Sequence, residues 1–168
     1  MMTTEEIQIR IAEMRRINAD LTHIEAKAAA SELPQRLWPT LSAFSNTPGA
    51  GTLVLGVSER EQFKVTGVKN PAKIQHELAS LCSSEMEPPV RASVDVHEID
   101  GKFVVAAVVP ELPRSAKPCY HRESGYTNGA FVRVADGNRK LSTYEVQMML
   151  AARIQPRDDE EAVPRIIN

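Results

Sequence analysis

Apolar residues recur at Ile7, Ile11, Met14 and Ile17, and this spacing of three and four predicts an amphipathic helix over residues 1–17. Thr3 followed by Glu6 supplies a capping box for its start. From Asp20 the helical period gives way to alternation through LTHIEAK, so a helix-to-strand junction falls there. ASELPQRL reads as a loop, and WPTLSAFSN as a short helix, because Pro39 fits a first turn and disrupts an interior. TPGAG ends that helix.

Beyond Gly51 the pattern becomes strand-like. TLVLGV predicts a buried strand, SEREQ a turn and FKVTGV a short return strand. Asn70 and Pro71 open a helix that places Ile74, Leu78 and Leu81 on one face, and EPPV closes it. VRASVDVHEI and KFVVAAVV flank Asp100-Gly101, a pair that favours a type I′ hairpin turn. The second arm is apolar on both faces, which predicts a central strand. ELPRSAKP is a Pro-rich surface connection, and Asn128-Gly129 predicts a turn before the strand AFVRV. Ser142 with Glu145 forms a second capping box, and Leu141 with Val146 a hydrophobic staple, for a last helix. The sum is an α+β single domain over 18–152, with a mixed, mainly antiparallel sheet flanked by helices. Residues 153–168 read as a polar tail or linker leading to further domains of a longer protein.

Composition narrows the class without naming a function. A chain of 168 residues with 25% charged and 42% hydrophobic positions suits one globular domain. No apolar run approaches the ~18 residues of a membrane helix, and the N-terminus carries no apolar signal region. Cys82 and Cys119 stand far apart in no metal-binding pattern, as expected of a cytoplasmic protein with reduced thiols. The net charge of −2 gives no global argument for a polyanionic partner. Locally, residues 113–140 carry Arg114, Lys117, Arg122, Arg133, Arg139 and Lys140 against Glu123 and Asp136. That segment reads either as a phosphate-contacting surface or as a solvated face.

Several chemistries are excluded by order and spacing. Gly49-Ala50-Gly51 follows a helix and precedes a strand, the reverse of a phosphate-cradling loop, and reads as a tight turn. Cys119 and His121 have no second pair at zinc-ligand spacing, and no GxSxG supports a serine hydrolase. The acids remain. Glu25 and Lys27 are two apart and share one face of an extended strand. Asp20 reaches Glu25 only if the chain bends between them, and the predicted junction supplies that bend. Glu59 follows the strand TLVLGV. Three carboxylates and Lys27 at neighbouring strand ends suit a Mg or Mn site for phosphodiester cleavage. Equally, Glu25 and Lys27 form a surface ion pair and Asp20 solubilises a helix end.

Taken together, DLTHIEAK, LSAFSNTPGAGTLVLGVSE, KVTGV, KPCYHRESGY and GAFVRVADGNRKLSTYEV resemble the Schlafen AlbA-like family, also called the divergent AAA-4 domain. The resemblance covers roughly residues 18–150. It implies nucleic-acid binding, commonly at the head of longer transcriptional regulators, with two lobes clamping structured RNA in the vertebrate members. Some of those members are metal-dependent endoribonucleases, and their three acids fall on Asp20, Glu25 and Glu59 here. This chain exchanges Asp for Glu at the first position and Glu for Asp at the third, and carries Ala26 and Ala135 where the family has an aromatic and a glycine. The expectation is a nucleic-acid-binding module, for DNA or RNA, that completes its groove by homodimerisation. Lys117, Arg122, Arg133, Arg139 and Lys140 would contact phosphates, Tyr120 would stack, and Lys27 and Arg36 would extend the surface. A Mg- or Mn-dependent ribonuclease using Asp20, Glu25, Glu59 and Lys27 is the alternative, and a protein-interaction or ligand-sensing domain is the third.

Overall fold

The computed structural model describes residues 2–154, so most of the expected tail lies outside the described residues. Helix α1 (Thr4–Ile17) begins at the capping box: Glu6 N–H donates to Thr3 Oγ1 at 3.1 Å and Thr3 N–H donates to the Glu6 carboxylate at 3.0 Å. Its stripe is buried at Ile7, Ile11 and Met14, whereas Ile17 is 50% exposed. Ile17 lies in the last turn, where Asn18 leaves the helix at φ 55°, so the chain turns away before that side chain reaches the core.

Four strands form the central sheet: β1 (Ile24–Lys27), β2 (Gly51–Leu55), β6 (Ser93–Ile99) and β7 (Lys102–Val109), in the order β1-β2-β7-β6. β1 runs parallel to β2, with Glu25 opposite Leu53, and the other two pairings are antiparallel. The sheet is therefore mixed and mainly antiparallel, and β7 is internal, as its apolarity on both faces requires. Asp100 and Gly101 take φ values of 54° and 72°, the positive pair that a type I′ turn demands.

Alternation along the strands divides the core in two. Val54, Val104, Ala106, Ile24 and Ala26 pack toward α1 with Ile7, Ile11 and Met14. Leu53, Leu55, Val105, Ala107 and Val109 pack on the opposite face against α2 (Trp38–Asn46) and α3 (Pro71–Ser84), through Leu41, Phe44, Ile74 and Leu78. The sheet is thus covered by helices on both sides. Gly51 belongs to this second packing: a Cβ there would lie 2.1 Å from the Phe44 ring. Gly49 makes the turn before it at φ +88°, so these glycines join a helix to a strand.

The return strand expected over FKVTGV reduces to β4 (Lys64–Val65), paired with β3 (Val57–Ser58). Phe63 and Gln62 have positive φ, which breaks the extended run ahead of it. Further along lie β5 (Met86–Glu87), β8 (Tyr120–His121), α4 (Gly125–Gly129), the β9 (Phe131–Val134) and β10 (Gly137–Lys140) hairpin, and α5 (Thr143–Ile154). Asn128-Gly129 sits in the short helix α4 rather than in a two-residue turn. α5 carries its expected capping box, with Ser142 and Glu145 bonded reciprocally at 2.9 and 3.1 Å. Leu141 and Val146 share a third small cluster with Ala130. α5 runs two residues past Ala152, to Ile154.

Candidate functional site

The helix-to-strand junction bends as its sequence requires. Asp20 folds back so that its Oδ1 accepts from Ala26 N–H at 2.9 Å, and Leu21 bridges to Ile24. Because Ile24 and Ala26 face α1, Glu25 and Lys27 face α2. Asp20 and Glu25 are both buried. Burial chiefly, and then the negative charges of Glu25 and Glu59, push the Asp20 carboxyl up to about 6, against the Ala26 N–H and Arg133. Glu59 opens an exposed turn, Glu59–Glu61, just after β3. The three acids therefore share one electrostatic neighbourhood.

Glu25 is nevertheless fully engaged. Its Oε1 accepts from Arg133 Nη1 at 2.5 Å, and its Oε2 from Thr40 Oγ1 at 2.8 Å, with Lys27 Nζ at 3.5 Å. Among the described residues, no group of three or more His, Cys, Asp or Glu is arranged to hold a metal ion. The central carboxylate of the three neutralises a buried guanidinium.

Arg133 is the largest correction to the expected binding surface. It is only 4% exposed and donates in every direction: Nε to the Thr22 carbonyl at 3.1 Å, Nη2 to the Leu21 carbonyl at 3.1 Å, and Nη1 to Asn138 Oδ1 at 2.9 Å as well as to Glu25. Its guanidinium lies 5.2 Å from the Phe44 ring centre. This side chain ties β9 to β1 and is not available to a phosphate.

Helix α2 completes the tie with polar residues that sequence reasoning passed over. Asn46 Nδ2 donates to the carbonyls of Cys119 and Phe131, both at 2.9 Å, and its Oδ1 accepts from Cys119 N–H at 2.7 Å. Ser42 Oγ accepts from Phe131 N–H at 2.9 Å, and Thr47 Oγ1 from Arg133 N–H at 2.8 Å. These buried side chains satisfy main-chain groups that have no strand partner there. The signal was in the sequence: Ser42 and Asn46 stand four apart in a helix too apolar to be a surface one.

Arg122, Arg139 and Lys140 are on the surface. Arg122 pairs with Glu87 at 3.2 Å, both about half exposed. Arg139 donates both Nη groups to Glu145 at 2.9 and 3.0 Å, and that bond, with the Ser142 N–H, pulls Glu145 down to about 2. Lys140 reaches Asn128 at 3.2 Å. Lys117 is mostly covered and bonds Glu111 at 2.7 Å. Tyr120 packs on Tyr126 with ring centres 4.3 Å apart. Arg36 lies over Trp38 at 5.2 Å, and Trp38 stacks on His121 at 4.4 Å. Exposed single-contact ion pairs contribute only ~0–1 kcal/mol, so Arg122 exchanges its carboxylate for another anion at small cost.

A family model described as Schlafen, AlbA_2 matches residues 20–142. The solution structure of the N-terminal domain of a Nitrosomonas europaea protein, described as related to the ATP-dependent DNA helicase RecG, aligns at 27% identity and TM-score 0.60, over 80% of this chain and 92% of that one. A crystal structure of a Corynebacterium diphtheriae protein aligns at 16% identity and TM-score 0.59, over 90% of this chain and 29% of that one, which shows a shared fold. No curated protein matches.

Proposed function

The chain belongs to the Schlafen AlbA_2 family, a nucleic-acid-associated family, and we propose that it is a nucleic-acid-binding domain working through the surface of β8, α4 and β10. The observation that carries this reading is the Tyr120–Tyr126 aromatic pair on the same small subdomain as Arg122, Arg139 and Lys140, whose side-chain partners among the described residues are Glu87, Glu145, Asn128 and one carbonyl. Aromatic rings beside exchangeable cations are what a nucleic-acid strand uses, bases on the rings and phosphates on the cations. The similarity to the N-terminal domain of a DNA-helicase-related protein supports the same reading. Metal-dependent cleavage is not proposed, because Glu25 is committed to Arg133.

A second copy of the chain is the proposed partner. On α5, Tyr144 and Met148 are one turn apart and 68% and 52% exposed, an apolar stripe suited to helix–helix contact. Binding of labelled duplex DNA and labelled hairpin RNA tests the main reading. The double variant Arg122→Glu/Lys140→Glu is expected to lose at least about tenfold in affinity while melting at the wild-type temperature. Unchanged affinity in that folded variant removes this surface from the account.

A further inference from the structure

Arg122, Arg139 and Lys117 all have carboxylate partners. Another part of the molecule does not share that arrangement. Lys69 and Lys102 are exposed, and among the described residues neither makes an ion pair. Both line one cleft of about 260 Å3, together with Thr66, Gly67, Gly101 and Phe103.

The topology builds this cleft. Thr66 and Gly67 N–H both donate to the Gly56 carbonyl at 2.9 Å, and Val68 N–H donates to the Phe103 carbonyl at 2.8 Å. The 66–69 loop is thereby laid along the first residues of β7. Gly67 has φ +80°, and a Cβ there would come 2.8 Å from the Cβ of Lys102. The missing side chain leaves room for the lysine and opens the floor of the cleft. Among the described residues no carboxylate lines it, and the neighbouring Asp100 lines a different cleft with Arg15. Phe103 is 45% exposed on a strand whose next residue, Val104, is fully buried, so it is partly open to solvent at this cleft.

We infer that this cleft binds a nucleotide unit of single-stranded nucleic acid, with Lys69 and Lys102 on the phosphate and Phe103 beneath the base. The inference rests on the nucleic-acid reading above and adds a second contact to it. Two unpaired ammonium groups draw a phosphate, and an exposed aromatic ring stacks any base. In a duplex the base faces are already stacked on their neighbours, so the preferred ligand is a single strand.

Fluorescence anisotropy with labelled oligothymidine and a labelled duplex tests this. Lys69→Glu/Lys102→Glu is expected to weaken oligothymidine binding at least about tenfold. Phe103→Ala is expected to weaken it at least about fivefold and to leave duplex binding unchanged, whereas Phe103→Trp retains it. Melting curves confirm folding, and Lys69→Ala/Lys102→Ala replaces the charge reversal if that variant unfolds. Wild-type affinity in the folded variants overturns the cleft alone. No binding by the unaltered protein to either ligand overturns the cleft and the proposed function together.

Discussion

Arg133 and Glu25, 108 positions apart in sequence, form a buried ion pair, Nη1 to Oε1 at 2.5 Å, that fastens the β9–β10 hairpin to the edge of the central sheet. Removing one member of such a pair leaves an uncompensated buried charge, typically at a cost of ~3–5 kcal/mol. Glu25→Ala is therefore expected to destabilise the domain by about that amount in urea unfolding. Glu25→Gln is expected to cost less, because the amide oxygen still accepts from Arg133 or Thr40. Losses below about 1 kcal/mol in both variants would show that the pair is not a fastener. The same substitution is the natural probe for a catalytic acid, so loss of any activity in Glu25→Ala needs a stability measurement beside it.

Asp20 makes a pH-dependent contribution of known sign. Its folded-state value of about 6 lies above the ordinary value of 3.8, with desolvation as the main cause. Between those values the unfolded chain gives up the proton first, so stability falls as pH rises from about 4 to about 6 and is level above. Asp20→Asn keeps an oxygen for Ala26 N–H and removes the buried charge. Its melting temperature is expected to exceed that of wild type at pH 8, with the difference shrinking toward pH 4. A variant that melts lower than wild type at pH 8 would contradict the burial argument.

Ala135 carries a positive φ of 53° in the β9–β10 turn. A left-handed backbone costs a non-glycine residue ~1–2 kcal/mol, partly offset by the extra freedom glycine has when unfolded. Ala135→Gly is expected to stabilise the domain by about 0.5–1 kcal/mol in thermal or urea unfolding. The site is exposed, so no packing is lost. A destabilised variant would show that the turn is not strained.

What could be read from sequence was the local and periodic part of the structure. The Thr3–Glu6 and Ser142–Glu145 caps, the Asp100-Gly101 turn and the internal position of KFVVAAVV all follow from neighbours within a few residues. Arg133 was placed on the surface by its charge, and the alternation of AFVRV does not correct that, because it sets the apolar Ala130, Val132 and Val134 on one face. Phe131 and Arg133 instead face inward together. The partner of Arg133 lies on β1, and no local rule specifies a contact over that separation. The Lys69 and Lys102 cleft was hidden for the same reason: a loop and a hairpin distant in sequence make it. Glu59, read as the third ligand, does share the electrostatic field of Asp20, but the engagement of Glu25 is a tertiary fact.

The most direct test of nucleic-acid binding is the salt dependence of affinity for labelled oligothymidine. Each phosphate neutralised on a single strand contributes a slope of about −0.7 in log affinity against log salt. With Arg122, Arg139 and Lys140 as contacts, the expected slope is about −2 or steeper, falling in magnitude by about 1.4 in Arg122→Glu/Lys140→Glu. Affinity that does not change with salt, or a slope that survives that substitution, would contradict the account.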